Sequence, residues 1–171
     1  QPKPNVTTGL HNVLLDGAKI TATNAKDSTV QYLADSRFVC HDVFSYLQFE
    51  ANGPTTITIE FDTPKTISAL SVYNSYEFDY AFASIDSIIF DLSEKPSWYP
   101  NDVEYRSSAA VKDIMFNEKY IDRTNSFIYA GAASNISFDE ITVNRIQITI
   151  SKKIVDSNAT IKVSDIIVLG K

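Results

Sequence analysis

Thr55-Thr56-Ile57-Thr58-Ile59-Glu60-Phe61-Asp62-Thr63-Pro64-Lys65-Thr66-Ile67-Ser68-Ala69-Leu70-Ser71-Val72 is the stretch whose reading decides the fold. Ile57, Ile59 and Phe61 alternate with Thr56, Thr58 and Glu60, the period of a half-buried strand. Asp62-Thr63-Pro64-Lys65 is turn chemistry, because Asp can bond back to its own chain and Pro fixes its own φ. Ile67, Leu70 and Val72 then resume an apolar strand. The stretch predicts two strands folded about a tight turn.

Working outward, the same period recurs. Ala18, Ile20 and Ala22 alternate with Lys19, Thr21 and Thr23, which predicts a strand within Val13 to Thr23. Ser28 to Ala34 has room for one helical turn, and Phe44 to Glu50 alternates again before the turn Asn52-Gly53-Pro54. Ile88, Phe90 and Leu92 share one face of a strand over Ile85 to Leu92. Ile114, Met115 and Phe116 read as mostly buried. Ile146, Ile148 and Ile150 share a face within Ile141 to Ser151, and Ile161 to Leu169 closes the chain. No segment sustains the i, i+3, i+4, i+7 spacing of a long helix. About eight short strands with turns between them predict an all-β fold, an antiparallel sandwich of the jelly-roll kind.

A length of 171 residues fits one domain. Residues 1–10, beginning Gln1-Pro2-Lys3-Pro4, read as a linker or boundary, and 11–171 as a single sandwich attached to a larger protein. His11 reads as the end of that linker. Hydrophobic residues make up 44% of the chain, enough for a core. No apolar run approaches the length of a membrane span. Lys and Arg number 15 against 21 Asp and Glu, a net charge of −6. That balance argues against nucleic acid and against anionic lipid surfaces as partners. The lone Cys40 excludes an internal disulfide framework, as is ordinary in bacterial secreted proteins and in cytosolic ones. Three Asn-x-Ser/Thr sequons, at Asn5, Asn135 and Asn158, are accounted for by the abundance of Asn, Ser and Thr.

Tyr73-Asn74-Ser75-Tyr76-Glu77-Phe78-Asp79-Tyr80-Ala81-Phe82 is the stretch that suggests a ligand. It mixes five aromatics with carboxylates and an amide. A planar ring meets the C–H face of a sugar, while Asp, Glu or Asn bonds its rim of hydroxyls. Asn74, Tyr76, Glu77, Phe78 and Tyr80 are therefore candidate binding residues. The same stretch also reads as packing, with Tyr73, Phe78 and Phe82 turned to the core. Trp98 reads as core, while Tyr99 and Tyr105 stay open as further contacts. Nothing marks a reaction. Cys40 and His41 are chain neighbours that point to opposite faces of an extended backbone, so they cannot readily pair as nucleophile and base. No spacing suggests zinc, and there is no phosphate loop, Gly-x-Ser-x-Gly or His-Glu-x-x-His.

Four segments, in order, resemble the galactose-binding-like β-sandwich of the discoidin domains and the family 32 carbohydrate-binding modules. Ile57 to Ser68 resembles its "I-x-I-D-L-G-x-P-x-x-I-S" segment, and Ser84 to Trp98 the strand ending "S-x-D-G-x-x-W". Val143 to Ile148 resembles "A-R-Y-V-R-I", and Val163 to Gly170 the closing "L-x-E-I-x-V-Y-G". The resemblance implies a non-catalytic module that binds a glycan, usually a terminal sugar, through loops at one end of the sandwich. It implies an extracellular or cell-surface place, in a larger secreted or surface-attached bacterial protein. His41 lies near the first binding loop it implies. Where the family carries an arginine after its third or fourth strand, this chain has Asn74, Ser75 and Tyr76. Many members hold a structural calcium ion. Asp35 keeps the first position of that loop and Asp165 offers a second carboxylate, while Cys40 replaces the usual Thr. A protein-binding adhesion sandwich using the same aromatic loop is the alternative function.

Overall fold

A computed structural model describes residues 9–34, 47–50, 53–97, 105–107, 111–116, 119–122, 130–155 and 160–171. Its strands are β1 (His11–Asn12), β2 (Ala18–Ala22), β3 (Leu47–Glu50), β4 (Thr55–Asn74), β5 (Ile85–Leu92), β6 (Tyr105–Ser107), β7 (Val111–Phe116), β8 (Lys119–Asp122), β9 (Ala133–Ile150) and β10 (Thr160–Gly170). Three short 3-10 helices, Val13–Asp16, Asp27–Ala34 and Phe78–Tyr80, are the helical pieces among the described residues.

Two long strands organise everything else. β4 pairs antiparallel with β9 from Thr55↔Ile150 to Glu60↔Arg145, then resumes at Lys65↔Val143 and runs to Tyr73↔Ala133. Four residues of β4, Phe61 to Pro64, thus stand opposite one residue of β9, Asn144. A straight strand of 20 residues would span roughly 65 Å. Yet both ends of β4 lie at the same end of the molecule. Thr55 faces Ile150, and the chain leaving Ile150 bonds the chain leaving Asn74: Ala83 N donates to Lys152 O at 2.8 Å and Ile154 N to Ala81 O at 3.1 Å. So β4 reverses at Phe61–Lys65 and its halves lie in two layers. The first half pairs with β2 on its other edge, the second with β10. β5 extends the first layer beyond β9, β6 the second.

This corrects the expected hairpin. The reversal over Asp62 to Lys65 is present, but the two halves do not pair with each other, because each finds its partners in its own layer. The expected first strand is also shorter. Val13–Asp16 is a 3-10 helix capped by Asn12, whose side chain accepts from Leu14 N, and Gly17 (φ 98°) ends it. His11 opens β1 opposite Gly170 and so belongs to the sandwich, not to a linker. Among the described residues the strands pair antiparallel except β5 and β7, which run parallel.

Each register shift keeps the apolar set pointing inward. In β9 the buried apolar residues are Ile136 and Phe138, then Ile141 and Val143, then Ile146, Ile148 and Ile150. Their spacing changes parity at the bulge opposite Ile67/Ala69 and again at the corner. Phe90, Phe116 and Phe138 meet at the centre, with ring centroids 5.1 Å apart for Phe90–Phe116 and for Phe90–Phe138. Ile114 and Phe116 are buried while Met115 between them is only half-buried, the alternation of an ordinary strand.

Candidate functional site

The segment after β4 crosses from the second layer to the first and reaches β5 at Ile85. Asn74 shapes it. Its amide nitrogen donates to Phe82 O at 2.7 Å, and its side-chain oxygen accepts Phe82 N and Ser75 N, both at 2.9 Å. One buried side chain thereby closes the loop from Asn74 to Phe82 and satisfies backbone groups that would otherwise be stranded. Ser75 Oγ accepts Glu77 N at 3.0 Å, and Phe78–Tyr80 completes one 3-10 turn. Phe82, fully buried, plugs the core beneath.

Neighbouring segments grip this loop from both sides. Gly131 N donates to Ser75 O at 2.7 Å, and Asn74 N donates to Ala132 O at 3.0 Å. Gly131 has φ 75°, and a Cβ there would stand 3.6 Å from the Tyr76 ring, so ring and turn lie against each other. Lys162 of β10 comes up from below. Its side chain is 5% exposed, its Nζ donates to Glu77 Oε2 at 2.8 Å, and it stands 3.8 Å from the centroid of the Tyr80 ring. A buried ammonium needs an anion and tolerates an aromatic face, and here it has both.

The sequence candidates therefore divide. Tyr76 and Phe78 are each 51% exposed, two residues apart on a loop held from within. Asn74, expected to touch ligand, is buried and committed to Phe82 and Ser75, so its part is to hold the loop. Glu77 and Tyr80, half-buried, face Lys162, which takes one carboxylate oxygen of the first and one ring face of the second. His41 and Asp35 lie outside the described residues, as do Cys40, Trp98 and Tyr99, and of Tyr105 only the backbone is described, in β6. Asp165 is buried, with Oδ1 accepting Ile166 N at 2.8 Å. Among the described residues no three His, Cys, Asp or Glu gather as a metal site would need. Lys162 escaped sequence reasoning. It alternates with Ile161 and Val163 as any solvent-facing lysine of a strand would, and its contact to Glu77 comes from a loop folded 85 residues earlier.

No family model and no curated protein matches the chain. Solved structures do. The family 32 carbohydrate-binding module of Clostridium perfringens NanJ, solved with galactose, superposes with a TM-score of 0.55 at 11% identity, covering 94% of this chain and 98% of that one. The Clostridium perfringens module CpGH89CBM32-5, solved with GalNAc-β-1,3-galactose, gives 0.55 at 10% identity, covering 92% and 98%. The F-lectin of striped bass (Morone saxatilis) serum gives 0.57 at 15% identity, covering 94% of this chain and 49% of that one. The molecule is an all-β sandwich. Its fold is the discoidin-like, galactose-binding-like one that the four sequence segments resemble.

Proposed function

We propose that this chain is a non-catalytic carbohydrate-binding module whose binding surface is the Asn74–Phe82 loop. The observation that supports this reading is the pair of half-exposed rings, Tyr76 and Phe78, on a loop whose inner side is fixed by Asn74 and by the Glu77–Lys162 contact. Exposed rings on a rigid support lose little entropy when a sugar face settles on them. Glu77 and Tyr80 bring their remaining polar groups to the rim. No arginine stands at Asn74–Tyr76 to clamp a galactose rim, so the ligand is a glycan other than simple terminal galactose. Binding in so shallow a site is weak per contact and serves a larger, secreted or surface-attached bacterial protein by holding it near glycans.

A glycan array tests the reading, with wild-type, Tyr76→Ala and Phe78→Ala compared on the glycans that respond. Both substitutions should lower binding, and full binding by both removes the loop from the site. Competition by a free sugar is expected. Binding that no sugar displaces, or that appears only to proteins, would favour the protein-binding sandwich instead. Repeating the array with a chelator tests the calcium ion that Asp35 and Asp165 would hold.

A further inference from the structure

At the reversal of β4, the far end from the aromatic loop, the unequal register leaves a hollow of about 380 Å³ lined by Glu60, Phe61, Asp91, Asn144 and Arg145. That volume falls within the range of small-molecule sites. It exists because Phe61 to Pro64 must arch over the single residue Asn144. We propose that this hollow is a second binding site, for one uncharged sugar ring, independent of the loop and of the function assigned to it.

The argument runs from charge and shape. Directly opposed residues carry their side chains on one face of a sheet. Glu60, Arg145 and Asp91 oppose one another across the strands and line the hollow with a net charge of −1, and Lys19, opposite Glu60 just outside the lining, brings the row of alternating charges to zero. Such a row offers donors and acceptors without favouring an anion or a cation. Arg145 Nε donates to Asp91 Oδ2 at 2.6 Å, which fixes the guanidinium plane. Its terminal nitrogens have no other partner among the described residues, and they form a flat fork suited to adjacent ring hydroxyls. The Asn144 amide, exposed on the other strand position of the bulge, makes no hydrogen bond among the described residues and adds both a donor and an acceptor. Phe61, half-buried against the core, supplies an apolar face for ring C–H groups.

The test is a titration of ¹⁵N-labelled protein with free galactose, glucose, mannose, fucose, N-acetylglucosamine and N-acetylgalactosamine to tens of millimolar, followed by amide chemical shifts. At least one sugar should shift the amides of Glu60, Phe61, Asp91, Asn144 and Arg145. Those shifts should persist in the Tyr76→Ala/Phe78→Ala double variant, which disables only the loop. Asn144→Ala should weaken them roughly fivefold, the loss of about one hydrogen bond, and Arg145→Lys should weaken them similarly while retaining the charge. The proposal is overturned if no sugar moves these amides, if the shifts vanish with the loop variant, or if both Asn144→Ala and Arg145→Lys leave them unchanged. A stronger response to glucuronate or glucosamine than to every neutral sugar overturns the choice of an uncharged ring.

Discussion

The two ends of the sandwich are closed by different means. At the corner end, backbone meets backbone. A Cβ on Gly170 would stand 2.8 Å from Ile67 Cγ2 and closer still to Thr66 O, the oxygen that accepts Lys171 N at 2.9 Å. Gly17, at φ 98°, lets its carbonyl accept Asp62 N at 3.2 Å. At the loop end, side chains do the closing: Asn74 holds Phe82 and Ser75, and Lys162 holds Glu77 under the Tyr80 ring. Backbone closure fixes geometry and leaves no room for variation. Side-chain closure holds the loop from within, so the rings of Tyr76 and Phe78 can each stay half-exposed to water. The second arrangement leaves a whole outer surface free for recognition, whereas the first leaves only the hollow beside Asn144.

The largest expected effect lies at the loop end. Glu77→Gln keeps the side chain's shape and removes a charge from beside an ammonium whose side chain is 5% exposed. Removing the carboxylate charge from a buried ammonium costs up to about 3 kcal/mol. Lys162→Met leaves a carboxylate that is 33% exposed and takes up water instead, at about 1 kcal/mol. Urea unfolding of the two variants measures both losses. Equal losses would show that burial of the ammonium is not what makes the pair matter. Glycan binding should fall in both, because the loop loses its inner support.

Gly170→Ala probes the other end. The added methyl must push Thr66 and Ile67 aside, which costs about 2 kcal/mol, limited by the ease with which a final strand residue yields. Glycan binding by the loop should be unchanged once the protein is folded. A parallel fall in binding would break the distinction between the ends. Tyr76→Ala and Phe78→Ala invert that result: stability should change by about 0.5 kcal/mol or less, while glycan affinity falls roughly tenfold for each ring lost.

The same contrast explains what could be read from the sequence. The corner was legible because its causes are local. Asp62-Thr63-Pro64-Lys65 announces a reversal, and the parity change from Ile67 to Leu70 already contains the bulge. What stayed hidden was the pairing, since nothing in Ile57–Val72 says that its halves lie in different layers, joined through β9. At the loop end the rings were legible as a cluster, but their division was not. Which aromatics face outward depends on Lys162 and on Gly131, far along the chain, and Lys162 looks like any exposed strand residue until the loop covers it. Asn74 misled for a related reason: an amide among tyrosines suggests a sugar contact, yet its place at the end of β4 makes it the clasp of the loop.

The smallest expected effect returns to the corner end, where a side chain supplements the backbone. His11 Nε2 meets Asp16 Oδ2, and His11 Nδ1 lies 3.1 Å from Gly9 O. The hydrogen bond to Asp16, and after it the one to Gly9, raise the pKa of His11 above its ordinary value of 6.5. Unfolding breaks both contacts and restores that value. The folded state therefore holds the proton more tightly, and the contribution to stability is complete below the unfolded pKa and lost as pH rises through the folded one. Lys65, with Nζ 3.9 Å from the same Asp16 oxygen, keeps that carboxylate engaged after His11 is neutral, which limits the loss. Amide exchange at His11, Asn12, Leu169 and Gly170, the residues that pair β1 with β10, reads it locally. Corrected for the intrinsic pH dependence of exchange, their protection should drop as the pH rises above 6.5 in the wild type. The drop should be smaller in Asp16→Asn, which keeps only the Gly9 contact, while amides of the Asn74–Phe82 loop show no difference between the two proteins. An identical pH response in wild type and variant would remove His11 from the closure of this end and leave it to the backbone alone.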